Sequence, residues 1–454
     1  MRPSGAPLVA VPEETPMSAA LPLVGNLMVA PTIPANGRHQ KPLTSFHTFD
    51  SLADSNFRWF FFSMFGWFAS MNMQMLVRPV IAYDMTGSYA ALGFISLANA
   101  IPGLFLSLPG GVVADRMTKK YVVQFGQVSN LVTSAIIAAL LLMGTLQLWH
   151  LVVSAVYQGA VNAIMMPARQ SMIPEIVSKE RLMNAVALNS SGMNLMRLMG
   201  PGLGGLLMAG MGAGWVYVLM AVMYGLGGLL LLPVRKRSDL VPEASHSSEG
   251  VTQSITSGID DIRQAFQYIG RDRTVLTILM VNFVIVLFSM PYQTMLPGFA
   301  KDVLGAEESQ VGLLMSITGV GSLVGSLVIA SMPERNRGRV LLGSSVLLGV
   351  AMLAFAASSL FWVSAIVVLA IGVGQAGRMS LSNVLIQTYT QSNYQGRVMS
   401  VYMLEFSLVA FGTFLISLLS DVIGPQMALG MTAGALVAFT LASLVSLPRM
   451  RNLP

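Results

Sequence analysis

Of 454 residues, 54% are hydrophobic and 10% are charged, against roughly 25% charged in an average soluble domain. With a mean hydropathy of +0.67, that deficit excludes a soluble globular enzyme, a disordered chain and a coiled coil, and leaves a protein that crosses a bilayer repeatedly. Cys is absent and the four His (His39, His47, His150, His246) lack metal-ligand spacing, so disulfides, metal sites and cysteine nucleophiles are not expected.

Residues 1–54 are rich in Pro, Ala and polar residues and are expected to form a disordered cytoplasmic tail. A window of about 20 apolar residues then gives twelve spans, at roughly 57–80, 89–113, 121–144, 149–172, 182–210, 214–234, 274–298, 309–332, 340–359, 361–387, 397–420 and 425–447. Several contain breakers, among them Pro102, Pro201 and Pro291, which neighbouring helices in a bundle can tolerate. The expected organisation is an all-α membrane protein: a six-helix bundle over 55–234, a cytoplasmic linker over 235–273, a second six-helix bundle over 274–447 and a short basic tail over 448–454. The linker places Ile259, Ile262, Phe266 and Ile269 on one helical face, which predicts an amphipathic helix on the membrane or the bundle.

Orientation follows from Lys and Arg in the loops. Arg116, Lys119, Lys120, Lys179, Arg181, Arg235, Lys236, Arg237, Arg335, Arg337, Arg339 and Arg397 fall in one set, and Arg78 and Lys301 in the other. The first set, with both termini, is therefore expected in the cytoplasm, and the protein in the plasma (inner) membrane. A stretch from Gln170 also aligns without gaps with one from Asn383, at an offset of 213 residues. Both lie between the fourth and fifth helices of their half, as in a transporter built from two repeats around a central site.

Several motifs fall at matching topological positions. After helix 2 stands Gly111-Val-Val-Ala-Asp115-Arg116-Met-Thr118-Lys119-Lys120, and in helix 5 Gly200-Pro201-Gly-Leu-Gly204-Gly205. Pro167-Ala-Arg169-Gln170, Ile173-Pro174-Glu175, Asn184-Ala-Val-Ala-Leu-Asn189 and Gly396-Arg397-Val-Met-Ser400 follow. Over about residues 55–447 the chain resembles the major facilitator superfamily, and within it the enterobactin-exporter and drug-efflux branch. The first motif is similar to the family's G-x-x-x-D-R-x-G-R-K loop, with Thr118 in place of Gly and Lys119 in place of Arg. The second matches its G-P-x-x-G-G antiporter motif. Of the helix 4 motif R-x-x-Q-G, Gln158-Gly159 is present but Ala155 holds the Arg position. The resemblance implies twelve helices in two pseudo-symmetric bundles and efflux in exchange for protons.

Physical chemistry gives each motif a reading of its own. A carboxylate at Asp115, among Arg116, Lys119 and Lys120, can cap a helix across the interface between halves and let go on opening, or the loop only fixes topology. Arg169 is the expected partner of Asp115. Gly200, Pro201, Gly204 and Gly205 allow a bend, close packing, or both.

Charges at bilayer depth are costly and usually functional or paired. Three remain once loops are removed: Arg197, Arg378 and Glu405. Arg378 and Glu405 each sit about 13 residues from the midpoint of the helix 10–11 hairpin, so at ~1.5 Å per residue they share one depth and are expected to meet. The contact is either a structural ion pair or a proton-coupling site, with Glu405 exchanging the proton and Arg378 answering its charge. Arg197 is expected either to have a structural role, pairing with a carbonyl, a lipid phosphate or Asp115, or to meet substrate. In the resembling family, helices 1, 4, 7 and 10 line the central cavity. Their polar residues here, Asn72, Gln74, Tyr157, Asn162, Asn282, Tyr292, Gln293 and Gln375, are few and uncharged, which suits a small amphiphilic substrate such as a drug or a siderophore-like metabolite.

No phosphate-cradling loop and no catalytic triad can be nominated, so no enzymatic activity is expected. No metal, cofactor or nucleic acid is expected either; the proton gradient is the energy source, lipid the environment and a monomer the working unit. Two other readings use the same chain: uptake or facilitated diffusion, and a non-transporting membrane sensor or scaffold.

Overall fold

A segment surrounded by hydrocarbon must satisfy every backbone N–H and C=O within itself, and these long apolar runs do so as helices. A computed structural model describes residues 49–178, 180–235, 263–332, 335–451 and 453, the side chains of 107–116 excepted. All regular structure among the described residues is helical. A short 3-10 turn at Asp50–Ala53 leads into α1 (Ser55–Thr86), α2 (Tyr89–Arg116), α3 (Lys119–Leu142), α4 (Leu148–Ile176), α5 (Leu182–Met211) and α6 (Ala213–Leu230). After α7 (263–271) come α8 (Arg273–Ser289), α9 (Pro291–Leu304), α10 (Glu308–Ser331), α11 (Arg337–Ala357) and α12 (Phe361–Tyr389). The chain ends with α13 (Gln395–Tyr402), α14 (Glu405–Ile423), α15 (Pro425–Ser446) and α16 (Pro448–Arg451).

Helix starts follow local chemistry. Asp54 accepts from the Asn56 N–H at 2.9 Å to cap α1, and Asp272 accepts from Thr274 at 2.9 Å and Val275 at 3.2 Å to cap α8. Gly87, at φ 62°, ends α1 in a left-handed turn closed by its N–H on the Tyr83 carbonyl, so α2 starts two residues later.

Among the described residues, ten segments are long and apolar enough to cross a membrane: α2, α3, α4, α6, α8–α9, α10, α11, α12, α13–α14 and α15. The other two expected spans, α1 and α5, are helices of 32 and 30 residues with more polar sequences. They carry Arg58, Asn72, Gln74, Arg78 and Asp84, and Asn184, Asn189, Asn194 and Arg197. The polarity has a location: Gly200 and Gly204 of α5 lie against Asn72 and Met73 of α1, and the other side of α5 meets α10. Helices that face protein on two sides need less apolar surface than those that face lipid.

Several boundaries differ from the sequence reading. α1 runs six residues beyond 80, so Arg78 and Asp84 lie inside a helix and not in a loop. Pro102 and Pro201 sit within unbroken α2 and α5, while Pro291 does mark a break, between α8 and α9. The eleventh expected helix is interrupted at Met403-Leu404, where neither Gly nor Pro signals it. In α7 the buried residues are Ala265 and Ile269, while Phe266 is exposed. This is because α7 docks through Tyr268: its ring stacks on Tyr394 at 4.4 Å, and its hydroxyl accepts from the Gln391 N–H at 3.1 Å. Ile259 and Ile262 lie outside the described residues. The basic tail is tied down: Met450 and Leu453 are buried, and the Gly338 N–H donates to the Leu453 carbonyl.

The halves meet along α2 against α14, α5 against α10, and α1 against α9. One end of the bundle carries Lys119, Lys120, Arg235, Arg337, Arg339 and Arg397 and is called the basic end below.

Candidate transport site and gate

The break at Met403-Leu404 makes Glu405 the first residue of α14, where the helix dipole favours negative charge. Arg378 of α12 reaches it, with Nη1 at 3.4 Å from Oε2. Asn282 of α8 bridges the two, accepting from Arg378 at 3.0 Å and donating to Glu405 at 3.1 Å. Asn282 and Arg378 are 0% exposed and Glu405 5%. The register arithmetic thus places Arg378 and Glu405 correctly, while Asn282, expected on the cavity wall, completes the pair. Arg378 Nε and Nη2, Ser382 Oγ and Tyr402 Oη have no hydrogen-bond partner among the described residues, so the cluster is only half satisfied.

The other cavity residues divide. Gln293 donates to Gln375 at 3.0 Å, joining α9 to α12 beside the cluster, and Tyr292 is buried next to them. Asn72 is buried and donates to its own helix at Phe68, under Gly200. Tyr157 turns to the neighbouring α3, where its hydroxyl donates to Ser129 at 3.1 Å. Gln74 Nε2 and Asn162 Oδ1 are buried without partners among the described residues.

In the N-terminal half Arg78 is buried and its Nη2 donates to Gln158 Oε1. An Arg is therefore present at Gln158 after all, supplied by α1. Position 155 is closed to a large side chain: Ala155 is fully buried, its carbonyl accepts from Asn99 of α2 at 3.1 Å, and a Cβ on Gly159 would come within 2.0 Å of the Asn99 carbonyl. Arg169 lies over the rings of Trp67 and Phe68, 4.8 Å from each centroid, an aromatic clamp worth roughly 1–2 kcal/mol when desolvated. Arg197 is exposed at mid-length of α5 and within electrostatic range of Tyr292 and Arg378 of the other half.

Gly111, Asp115 and Arg116 lie outside the described side chains. Lys119 binds Glu175 at 2.6 Å and Lys120 donates to the Leu232 carbonyl at 2.7 Å, both within their own half. The Gly-Pro motif is a seam. A Cβ on Gly205 would meet the Glu308 carbonyl oxygen at 2.6 Å and the Gly312 Cα at 3.0 Å, all backbone with nothing to swing aside. Gly205→Val is therefore expected to part α5 from α10 and destabilise this closed arrangement by about 1–3 kcal/mol. The chain has no Cys, so maleimide labelling of a single cysteine at Ser316, which lines the seam, checks this. Unchanged labelling would argue against a tight seam.

A network of polar contacts that the sequence reading missed, a candidate gate, ties helices together at the end opposite the basic one. Asp421 of α14 accepts from Ser88 Oγ at 2.5 Å and from the Tyr89 and Ala90 N–H groups at 2.7 and 3.0 Å, capping α2 from across the interface. Asp302 of α9 accepts from the hydroxyls of Tyr83 and Tyr89. Lys301 pairs with Asp84 at 2.6 Å and with Glu308 at 2.9 Å. The available signal was four acidic residues near helix ends on the side poor in Lys and Arg.

Long apolar helices packed around a buried charge cluster are the build of a transporter, and the family model of transmembrane secretion effectors matches residues 47–453. The chain belongs to this family of major facilitator superfamily transporters. It is a multi-pass membrane transporter. Its relatives include the staphyloferrin A transporter of Staphylococcus aureus, 23% identical over 73% of this chain and 81% of that one. The multidrug efflux pump Tap of Mycobacterium tuberculosis is 25% identical over 83% of this chain and 91% of that one. The fold is shared with a bacterial homologue of the human lysosomal transporter Spinster in an inward-facing, unoccupied conformation, at a TM-score of 0.66, 13% identity, and 90% and 99% of the two chains. It is shared too with the nucleoside transporter NupG, at a TM-score of 0.68, 12% identity, and 86% and 100%.

Proposed function

We propose that the protein exports a small amphiphilic compound (a drug or a siderophore-like metabolite) in exchange for protons, by alternating access. Twelve crossings complete the two six-helix halves, with α1 and α5 as the two polar spans at the seam. The protein works in the plasma membrane as a monomer, with the basic end and both termini in the cytoplasm. On this orientation the contacts of Asp421, Asp302 and Lys301 close the outward end.

The observation that carries the reading is Glu405, buried at the start of α14 and held by Arg378 and Asn282. A carboxylate at this depth is retained against a cost of about 2.5–3.5 kcal/mol. Ionised, Glu405 holds α14 to α12 and α8. Protonated, it frees Arg378 and loosens α14, the same helix whose far end carries Asp421 of the gate. Proton binding at mid-membrane and gate release are thus linked through one rigid element. The names of the relatives above support export of this kind of cargo.

The test is transport in proteoliposomes under an imposed pH gradient, with a panel of fluorescent amphiphiles. Uphill movement of at least one compound against the proton flow, lost when nigericin collapses the gradient, is the expected result. Movement indifferent to the gradient would leave facilitated diffusion, and no movement would leave a sensor. Removing residues 1–46 is expected to leave export unchanged, which a scaffold acting through that segment would not.

A further inference from the structure

The charges in the middle of the molecule do not balance. Among the described residues, Arg78, Arg169, Arg197 and Arg378 lie well inside α1, α4, α5 and α12, and Glu405 is the carboxylate set against them. The other acids of the spans with described side chains are near helix ends and engaged: Asp84 and Glu308 with Lys301, Glu175 with Lys119, Asp302 with two tyrosines, Asp421 with α2. An unpaired cation at bilayer depth is costly, and arginines kept there without a counter-charge imply an anion that comes and goes.

Two of the four arginines are engaged within their own half: Arg169 lies over aromatic rings, and Arg78 donates to Gln158, about 12 Å in from its helix end at ~1.5 Å per residue, while Arg78 Nε and Arg169 Nε and Nη1 have no hydrogen-bond partner among the described residues. The other two lie on opposite sides of the seam between α5 and the second half. Leu198, next to Arg197, packs against Gly319 of α10, and the neighbouring Thr318 backs onto Gly372 of α12, two turns before Arg378. Arg197 is exposed and has no partner among the described residues. Arg378, fully buried, keeps Nε and Nη2 free beyond its contacts with Glu405 and Asn282.

We infer that the cargo is an organic anion bearing a carboxylate, clamped between Arg197 of one half and Arg378 of the other. The inference rests on the transporter reading and narrows its substrate class. A guanidinium offers a planar fork that fits a carboxylate, and the bond is charge-assisted. Empty, the site holds two like charges that repel across the seam. A carboxylate between them removes the repulsion and ties the halves together at the middle, so binding itself favours the occluded state.

The full chain in nanodiscs is titrated with pyrene butyrate, the uncharged pyrene butyramide and the cationic pyrene butylamine, read by fluorescence anisotropy. The carboxylate is expected to bind about tenfold tighter than the amide, equivalent to ~1.4 kcal/mol, with the amine weakest. Arg197→Gln should erase the preference and Arg197→Lys should keep most of it. The double variant Arg378→Gln with Glu405→Gln, which leaves no lone charge behind, should erase it too. Equal binding of acid and amide, tighter binding of the amine, or a preference that survives Arg197→Gln would overturn the inference. An amide exported as well as the acid would do so while leaving transport intact. Acid binding that depends on the clamp, with no probe moved across proteoliposomes, would overturn the transport reading and leave the anion site standing.

Discussion

Replacing Glu405 by Gln is expected to cut proton-driven export by roughly 100-fold, near the upper end of the 5–150-fold range that common coupling free energies produce, while the protein still folds. An amide at this position can still accept from Arg378 and Asn282 but cannot exchange a proton. The stability loss should stay at about 1–3 kcal/mol, the cost of leaving a buried donor poorly matched. Arg378→Glu is expected to be far worse, because it sets two carboxylates against each other in a buried site. Adding Glu405→Arg to it should restore most of the stability without restoring coupling, since the N-terminus of α14 favours an acid over a base. Transport driven by an imposed pH gradient, beside thermal unfolding of the same preparations, reads both quantities. If Glu405→Gln still drives uphill export at the normal rate, or if the swapped pair couples normally, the contact is structural and the proton acts elsewhere.

What could be read from the sequence and what could not divide along a physical line. The positions of the long helices and the meeting of Arg378 with Glu405 follow from hydropathy and helical rise, which are local properties. The end of α1 was misjudged because Val77-Arg78-Pro79 has the look of a helix end. It continues for another two turns because Arg78 finds Gln158 on α4, a partner 80 residues away. That contact also explains how Gln158-Gly159 can persist beside Ala155: Asn99 fills the space on α4, and the cation arrives from α1. The break before Glu405 has no Gly or Pro to announce it, since Met403 and Leu404 are ordinary helix formers. The expected pairing of Arg169 with Asp115 lies outside the described side chains, but Arg169 has contacts that no charge pattern announces. The structure gives it Trp67 and Phe68, residues that composition alone marks as core. The outer gate was illegible for a simpler reason: Asp302 and Asp421 serve residues 213 to 333 positions earlier, and nothing local distinguishes them from surface acids.

That gate carries the second large effect. Two N–H groups at the start of α2 are satisfied by Asp421 of the opposite half, so opening this end leaves them to water and separates a carboxylate from a helix N-terminus. Losing such a cap costs about 0.5–2 kcal/mol. Asp302, shared by Tyr83 and Tyr89, adds a second latch one helix away. With Asp421→Asn and Asp302→Asn together, the closed state should weaken enough to raise the open fraction by about tenfold, given ~1.4 kcal/mol per decade. Met295 reports on this: it is fully buried beneath the gate, in contact with Ser420 of α14. A cysteine placed there, alone in the chain, should react with a membrane-impermeant maleimide about tenfold faster in the double variant. Because the labelling reads the gate and not the cargo, it separates a lost latch from a lost binding site. An unchanged rate would mean that the apolar seam of α5 and α10, and not these carboxylates, holds the end shut.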